Sequence, residues 1–318
     1  MLQKTKFDVL VAGELNIDLI LDALHQFPQT GKEVLADKMM YTLGSSSAIF
    51  AANLSTLGVS VAYCGCIGDD DFGKKILRDL QSKRVDTNYI IQSQTSATGI
   101  TVAFNFEQDR AMVTHLGAMN ELSETHITDA MLGSAKHLHV SSVFLQPALK
   151  EGLVTLFQRA KEKGLTTSLD PQWDPAEKWD CDWQNLLPLV DVFLPNKEEL
   201  KYITGKANTD EAAASIKDYA NLIVVKNSTE GAVAFTKEKR MEQPAFINLN
   251  FKDAIGAGDS FDAGFISGFI NNKPVEECLA LGAICGAINT TQYGGTTAFQ
   301  SLASVKKIAN ETFNYIIP

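Results

Sequence analysis

The chain has 318 residues, 45% of them hydrophobic, enough for a sizeable core in one large domain or two small ones. With 28 Lys and Arg against 38 Asp and Glu, its formal net charge is −10 and its pI about 5.0, which excludes a surface built for nucleic acid or an anionic membrane. Its five cysteines, Cys64, Cys66, Cys181, Cys278 and Cys285, lack the paired spacings of a zinc site and read as reduced thiols of a cytoplasmic protein.

Met1 to Asp8 leads into an apolar run too short for a signal peptide or a membrane span, and no run of membrane length follows. That run, Phe7 to Gly13, predicts a buried first strand. The polar residues after it, Glu14, Asn16 and Asp18, stand at the strand's C-terminal end, the ligand side of a parallel sheet, although an ordinary polar loop explains them equally simply. Val34 to Leu43 alternates loosely, as a strand would. Gly44-Ser-Ser-Ser47 then opens a small-residue helix (Ala48, Ala51, Ala52) that ends near Gly58, with the serines as N-caps. Ser60 to Ile67 is the next strand. The following Gly68-Asp-Asp-Asp71-Phe-Gly73-Lys74-Lys75 nearly has the spacing of a phosphate-binding loop, but three consecutive aspartates repel a polyphosphate, so a structural turn is expected.

Thr98 to Phe106 and Arg110 to Leu116 predict two strands joined by a Glu107-Gln108-Asp109 turn. They alternate only partly, as strands do when one side is covered only by a ligand or partner. A helix is expected from about Ser123, a strand over Lys136 to Val140, a helix over Pro147 to Lys163 and a strand over Thr166 to Asp170. His137 and His139 share a strand face but have no third ligand nearby, so they read as edge or packing residues. Val190 to Leu194 is a further strand. It precedes Asn196-Lys-Glu-Glu199, which has the form of a capping box. Asn221 to Lys226 is the next strand, and a helix spans about Val275 to Thr291 with small residues (Ala280, Gly282, Ala283, Gly286, Ala287) along one side. The last helix ends near Tyr315.

The most specific stretch is Asp253-Ala-Ile-Gly-Ala-Gly-Asp259, which runs into Ser260-Phe-Asp-Ala-Gly-Phe265. Phe261, Phe265 and Phe269 fall at helical spacing, so Gly256 to Gly258 reads as an open-backbone loop feeding a helix N-terminus. Such an end attracts anions through unpaired N–H groups and a partial positive charge. A carboxylate at Asp259 has the wrong sign for anion binding. The economical explanation is a loop that holds charge developing on a transferred phosphoryl group, with Asp259 taking the proton of the attacking hydroxyl.

This stretch resembles the C-terminal signature of the ribokinase-like (PfkB) carbohydrate kinases. The resemblance implies a three-layer α/β/α domain over 1–318, with a mainly parallel sheet and a small β-sheet lid from strands inserted at about 15–42 and 96–117. It implies Asp259 as catalytic base, the backbone of Gly256, Ala257 and Gly258 as anion hole, and Asp253 beside a monovalent-cation site. Ala254 and Ile255 stand where the family usually has two threonines, which removes hydroxyls but no backbone groups. Asp18 and Asn16 match sugar-binding positions. Gly44 and Ser45 fall in the family's first signature, where Ser45 replaces a Gly and Ile49 an Asn. Asp170 begins the family's Asp-Pro-Asn-x-Arg, with Gln172 for Asn and Asp174 for Arg. That last change inverts a charge and disfavours an anionic substrate. Asn196 and Glu199 match a pair linked to Mg2+ through water. Lys226, Ser228 and Gly231 occupy the nucleotide loop, with Lys226 expected on the ATP phosphates, and Asn289 is expected near adenine. Thr101, Ala103 and His115 belong to the lid.

The implied activity is ATP-dependent phosphorylation of a hydroxyl on a small sugar or sugar-like alcohol. A nucleoside kinase of the same fold, or a binding protein for sugar or nucleotide without catalysis, is the alternative. ATP and Mg2+ are implied and K+ is left open. The expected partners are the sugar and ATP, with no nucleic acid or membrane, and a homodimer formed through the lid.

Overall fold

The computed structural model describes residues 5–106 and 109–317. The expected turn at Glu107 and Gln108, and the first four residues, lie outside the described residues. Among the described residues the strands, in chain order, are β1 Phe7–Ala12, β2 Asn16–Leu24, β3 Ala36–Leu43, β4 Val61–Gly68, β5 Asp86–Ser93, β6 Gly99–Phe106, β7 Asp109–His115, β8 Ala135–Ser141, β9 Thr166–Asp170, β10 Val192–Phe193, β11 Leu222–Lys226, β12 Ala232–Phe235 and β13 Arg240–Gln243.

Runs such as β1 and β4 are apolar at consecutive positions, so both strand faces must be covered. They lie inside a sheet of order β13-β12-β11-β10-β9-β8-β1-β4-β5, parallel from β11 to β5 and antiparallel at the β12–β13 edge. Alternation along β1 sends Leu10 and Ala12 into one core cluster and Val9 and Val11 into the other. The first cluster is closed by Leu156, Phe157 and Ala160 of the Leu153–Glu162 helix. Two helices close the second, Ser46–Thr56 through Phe50 and Leu54, and Ala257–Phe269 through Phe261 and Phe265. The chain leaves β1 for β4 on one side while β8 lies on the other. Strand order therefore reverses between β1 and β8, and a crevice opens at their C-terminal ends.

A second sheet has the order β3-β2-β6-β7. Its register aligns Tyr41, Leu19, Val102 and Val113 across one face, and Met39, Leu21 and Phe104 on the same face. Of these, Met39, Tyr41 and Val113 are exposed. The opposite face carries Asp18, Thr101 and Thr114, and Ile20, Ala103 and Met112.

Several expectations change. The helix expected over Pro147 to Lys163 is interrupted at Gly152, where a Cβ would lie 2.4 Å from Glu124 Oε2. In place of a helix from Ser123 there is a 3-10 turn at Glu124–His126 and one α turn at Asp129–Leu132. His137 and His139 are not edge residues, because β8 lies between β1 and β9. His139 stacks on Phe50 at 3.7 Å, His137 bonds Thr166 and Ser168, and burial pushes the His137 pKa down to about 3. The aspartate-rich turn is structural: Asp70 accepts the amides of Gly73 and Thr98. All five cysteines are free thiols, and burial pushes Cys64 and Cys285 up to about 12. No helix among the described residues is long and apolar enough to cross a membrane.

Candidate active site

Two cavities of about 710 and 700 Å³ meet at the start of the Ala257–Phe269 helix, and Gln172, Trp173, Gly256 and Asp259 line both. Gly256 is the N-cap, with a left-handed φ of 74°, and a Cβ there would come within 2.6 Å of Gly295 Cα. A helix that begins at Ala257 leaves its first amides without intrahelical acceptors. Ala257's own amide turns back onto the Ala254 carbonyl (3.1 Å), so Ala257 shapes the turn, and Gly258 and Asp259 are the better-placed donors. A Cβ on Gly258 would meet nothing nearer than Lys226 Nζ at 3.7 Å, so the backbone there is open to a ligand.

The loop is braced from beneath. Asn53 Nδ2 donates to Gly295 O and Ser260 Oγ, and Ser260 Oγ donates to Gly256 O. Asn289, expected beside adenine, is fully buried and donates to the Ile255 carbonyl at 2.5 Å. It does not line the nucleotide-side cavity. Its role is to hold the loop. Asp253 accepts the amides of Ile255 and Gly294 (both 3.0 Å), bridging the loop to the Gly294–Gly295 turn.

Asp259 is 7% exposed, and Gln172 Nε2 donates to its Oδ1 at 3.0 Å. Burial pushes its pKa up to about 7. Asp170 and Glu14 add to the rise, and Lys226 opposes it. Asp170, expected to touch substrate, is fully buried behind the cavity walls, where it receives Gln172 and the Lys226 ammonium (2.8 Å). Lys226 lines the nucleotide-side cavity, but its ammonium is held by Asp170 and Asp262 rather than extended toward a phosphate. Burial works against that charge, yet Asp170, Asp262 and Glu199 outweigh burial and raise the Lys226 pKa.

Asn16, Asp18, Ser45, Thr101, Phe144 and Asp174 line the acceptor-side cavity. Asn16 Nδ2 donates to Thr101 Oγ1 at 2.7 Å, while its buried Oδ1 has no hydrogen-bond partner. Gly44 must lack a side chain, because a Cβ would lie 2.3 Å from Asp18 Oδ1. Ser45 has a left-handed φ of 68° and caps the Ser46–Thr56 helix, donating to Glu14 O and accepting from Ala48 N. The Asp174 carboxylate accepts the amides of Ala176, Lys178 and Trp179, so its charge organises a turn.

Asn196, Glu199, Ser228 and Gly231 line the nucleotide-side cavity. Asn196 and Glu199 form the expected capping box, and burial together with Asp170 pushes Glu199 up to about 8. Gly231 has φ 94°, and a Cβ would strike Gln243 O at 2.0 Å. Among the described residues no group of three or more His, Cys, Asp or Glu is placed to hold a metal.

Sequence reasoning gave three participants no role of their own. Asp262 stands almost one helical turn after Asp259 in an otherwise apolar run, a pattern that signals a buried partner. Glu14 is a buried carboxyl bonded by the Ser47 hydroxyl at 2.5 Å. Asn227, which lines the nucleotide-side cavity, has a buried Oδ1 without a partner, and nothing in its local sequence marks it.

A family model described as pfkB family carbohydrate kinase matches residues 6–302, so the chain belongs to that family. It is 29% identical to an ATP-dependent ribose-1-phosphate kinase of Halopiger xanaduensis, over 91% of this chain and 94% of that protein. It is 24% identical to a 5-dehydro-2-deoxygluconokinase of Geobacillus kaustophilus, over 98% and 96%. The fold matches Arabidopsis thaliana ribokinase complexed with ribose and ATP with a TM-score of 0.84, at 21% identity over 96% and 99% of the two chains.

The folded chain holds the Asp259 proton more tightly than the unfolded chain does. The stability tied to it is full below the ordinary carboxylate pKa and is lost as pH rises through about 7. An Asp259→Asn variant lacks that loss. Its melting temperature relative to wild type should climb by several degrees between about pH 5 and about pH 8 in calorimetry. A constant difference across that range contradicts a buried charge at this position.

Proposed function

We propose that this carbohydrate kinase transfers the γ-phosphoryl group of ATP to a hydroxyl of an uncharged sugar at the junction of the two cavities, with Asp259 as general base. The observation that carries the proposal is one buried carboxyl that faces both cavities in the first turn of a glycine-loop helix. Asn16 and Asp18 hold acceptor hydroxyls, and the unpaired Asn16 Oδ1 suits a hydroxyl donor. Asp259 takes the hydroxyl proton as the oxygen attacks, and the Gly258 and Asp259 amides stabilise negative charge on the transferred group. On the other side Phe246, Phe251, Ala283, Gly286 and Ala287 offer an apolar slot of small and flat residues for adenine. Ser228 and Gly231 shape the loop beside it.

Glu199 and Asn196 suit Mg2+ held through water. Mg2+ keeps several waters and needs only one or two carboxylates beside phosphates, which agrees with a cavity wall that presents this pair and no dense ligand cluster. Mg2+ bound with ATP supplies charge neutralisation on the phosphates. Asp253 and the Gly294–Gly295 turn are the proposed K+ site, and Asp253 already braces the loop through its amide contacts.

The charge of the acceptor follows from its cavity wall. Glu14, Asp18, Asp174 and Asp259 line it, and among the described residues no Lys, Arg or His is in the lining. A carboxylate or phosphate on the acceptor would meet repulsion from these side chains there. The two relatives above are named for a sugar phosphate and a sugar acid, so this chain is expected to part from them. A nucleoside acceptor is the second possibility, favoured by Phe144 and Trp173 on the same wall, where they can stack on a base.

ADP release over a panel of neutral sugars, nucleosides, sugar acids and sugar phosphates, with and without K+, tests these assignments. Turnover is expected with neutral acceptors and not with anionic ones. Asp259→Ala should lower turnover by about two to four orders of magnitude while ATP still binds. Near-normal turnover in that variant refutes the base assignment, and efficient use of an anionic sugar refutes the charge argument.

We further propose a homodimer through the apolar outer face of the β3-β2-β6-β7 sheet, where Met39, Tyr41 and Val113 stand exposed. Sedimentation should give a dimer for wild type and a monomer for Val113→Glu. A monomeric wild type overturns it.

A further inference from the structure

We infer that Gln172 is a positioning residue for phosphoryl transfer, holding the Asp259 carboxylate in its working orientation through a closed ring of side chains anchored by Asp170 and Lys226. This rests on Asp259 being the base, as proposed above.

The ring can be followed atom by atom. Gln172 Nε2 donates to Asp259 Oδ1 at 3.0 Å and to Asp170 Oδ2 at 2.7 Å, so the two amide protons are shared between two carboxylates. The Gln172 backbone amide adds a bond to Asp170 Oδ1 at 3.2 Å. Asp170 Oδ2 also receives the Lys226 ammonium at 2.8 Å, and the same ammonium lies 3.0 and 3.2 Å from the two Asp262 oxygens. Asp262 stands three residues after Asp259 on the same helix. The chain of contacts therefore starts and ends on one rigid element, and no member can swing without breaking a part-buried bond.

The residue type fits the task. An amide can donate to two carboxylates at once and carries no charge. Lys or Arg in its place would pull the Asp259 pKa down and weaken the base, Glu would have no donor, and Asn is one methylene short of spanning the gap. Gln172 also holds a left-handed backbone, φ 56°, which non-glycine residues seldom adopt. In that conformation its backbone amide bonds Asp170 Oδ1. With Oδ1 occupied by the amide, the acceptor's proton is taken at Oδ2. The groups that face Asp259 are Asp170 and Glu14, which disfavour its charge, and Lys226 and the Ser46 hydroxyl, which favour it. Glu199, on the nucleotide-side cavity, has its pKa raised by burial, then Asp170 and Asp259, and lowered by Lys226.

The test compares Gln172→Leu, Gln172→Asn, the isosteric Gln172→Glu, Asp170→Asn, Lys226→Met and Asp259→Asn in steady-state assays over pH, with melting temperatures taken in parallel. Gln172→Leu should lower kcat by about 10- to 100-fold while KM for ATP and for the acceptor changes by less than about threefold. In Gln172→Glu and Lys226→Met the acidic limb of the kcat profile should move to higher pH, and in Asp170→Asn to lower pH. Gln172→Asn should recover little of the loss.

Unchanged kcat in Gln172→Leu, or a loss carried wholly by KM, overturns the inference. So does a shift of the limb in the same direction for Asp170→Asn and Lys226→Met. If Gln172→Leu is too unstable to assay, the sign and size of the Gln172→Glu limb shift decide alone. Should Asp259→Asn stay active, the base assignment has failed. Should it be dead while all three Gln172 variants behave as wild type, only the positioning role has failed.

Discussion

One interaction governs the site: a single buried ammonium, Lys226, serves more carboxyl groups than it can neutralise. Asp170 and Asp262 bond it directly, while Glu199 and Asp259 feel it from a distance. Charges removed from water are tolerated only when paired and hydrogen-bonded, so some of this acid set must stay protonated or be met by neutral donors. Asp170 and Asp262 take the cation, and burial still raises Asp262 well above the ordinary carboxylate value. Asp259 and Glu199 take amides, from Gln172 and Asn196, and burial raises both toward neutrality. A carboxyl that titrates near pH 7 is matched to accepting a hydroxyl proton under ordinary conditions. The arrangement costs stability, as functional sites commonly do.

The fold supplies the meeting place. Strand order reverses between β1 and β8, and the acceptor-side cavity forms beyond their C-terminal ends, where Glu14, Asn16 and Ser142 line it. The glycine loop arrives from a segment more than two hundred residues after β1 and is fixed by buried amides. Asn53 on the Ser46–Thr56 helix and Asn289 on the Val275–Asn289 helix both bond it, directly or through Ser260. Two helices thus set the height of the loop relative to Asp18 and Asn16. Neither asparagine needs to touch a ligand to matter for the geometry.

Local pattern made much of this legible. The doubly apolar runs of β1 and β4, the glycine loop before Phe261 and Phe265, and the Asn196–Glu199 capping box are all short-range signals. What stayed hidden depends on distant pairing. Lys226 is indistinguishable in sequence from a free phosphate-binding lysine, and only packing against Asp170 and Asp262 reveals its occupation. Asn289 lies among small residues that suit a nucleotide wall, yet its side chain turns toward the Ile255 carbonyl. The two edge strands β5 and β13 are polar at most positions, so their sequences lack the apolar run or regular alternation that marks a strand. At the Gly152 break the backbone approaches Glu124, twenty-eight positions earlier, and no helix propensity records that contact.

The central claim, that Asp259 is a buried carboxyl poised near neutrality, can be read without any turnover. Infrared difference spectra between wild type and Asp259→Asn, taken across pH in the absence of substrates, isolate the stretching band of this one carboxyl group. The account predicts protonated carboxylic acid that ionises with a midpoint of about 7. A midpoint at the ordinary aspartate value of about 4 would contradict it.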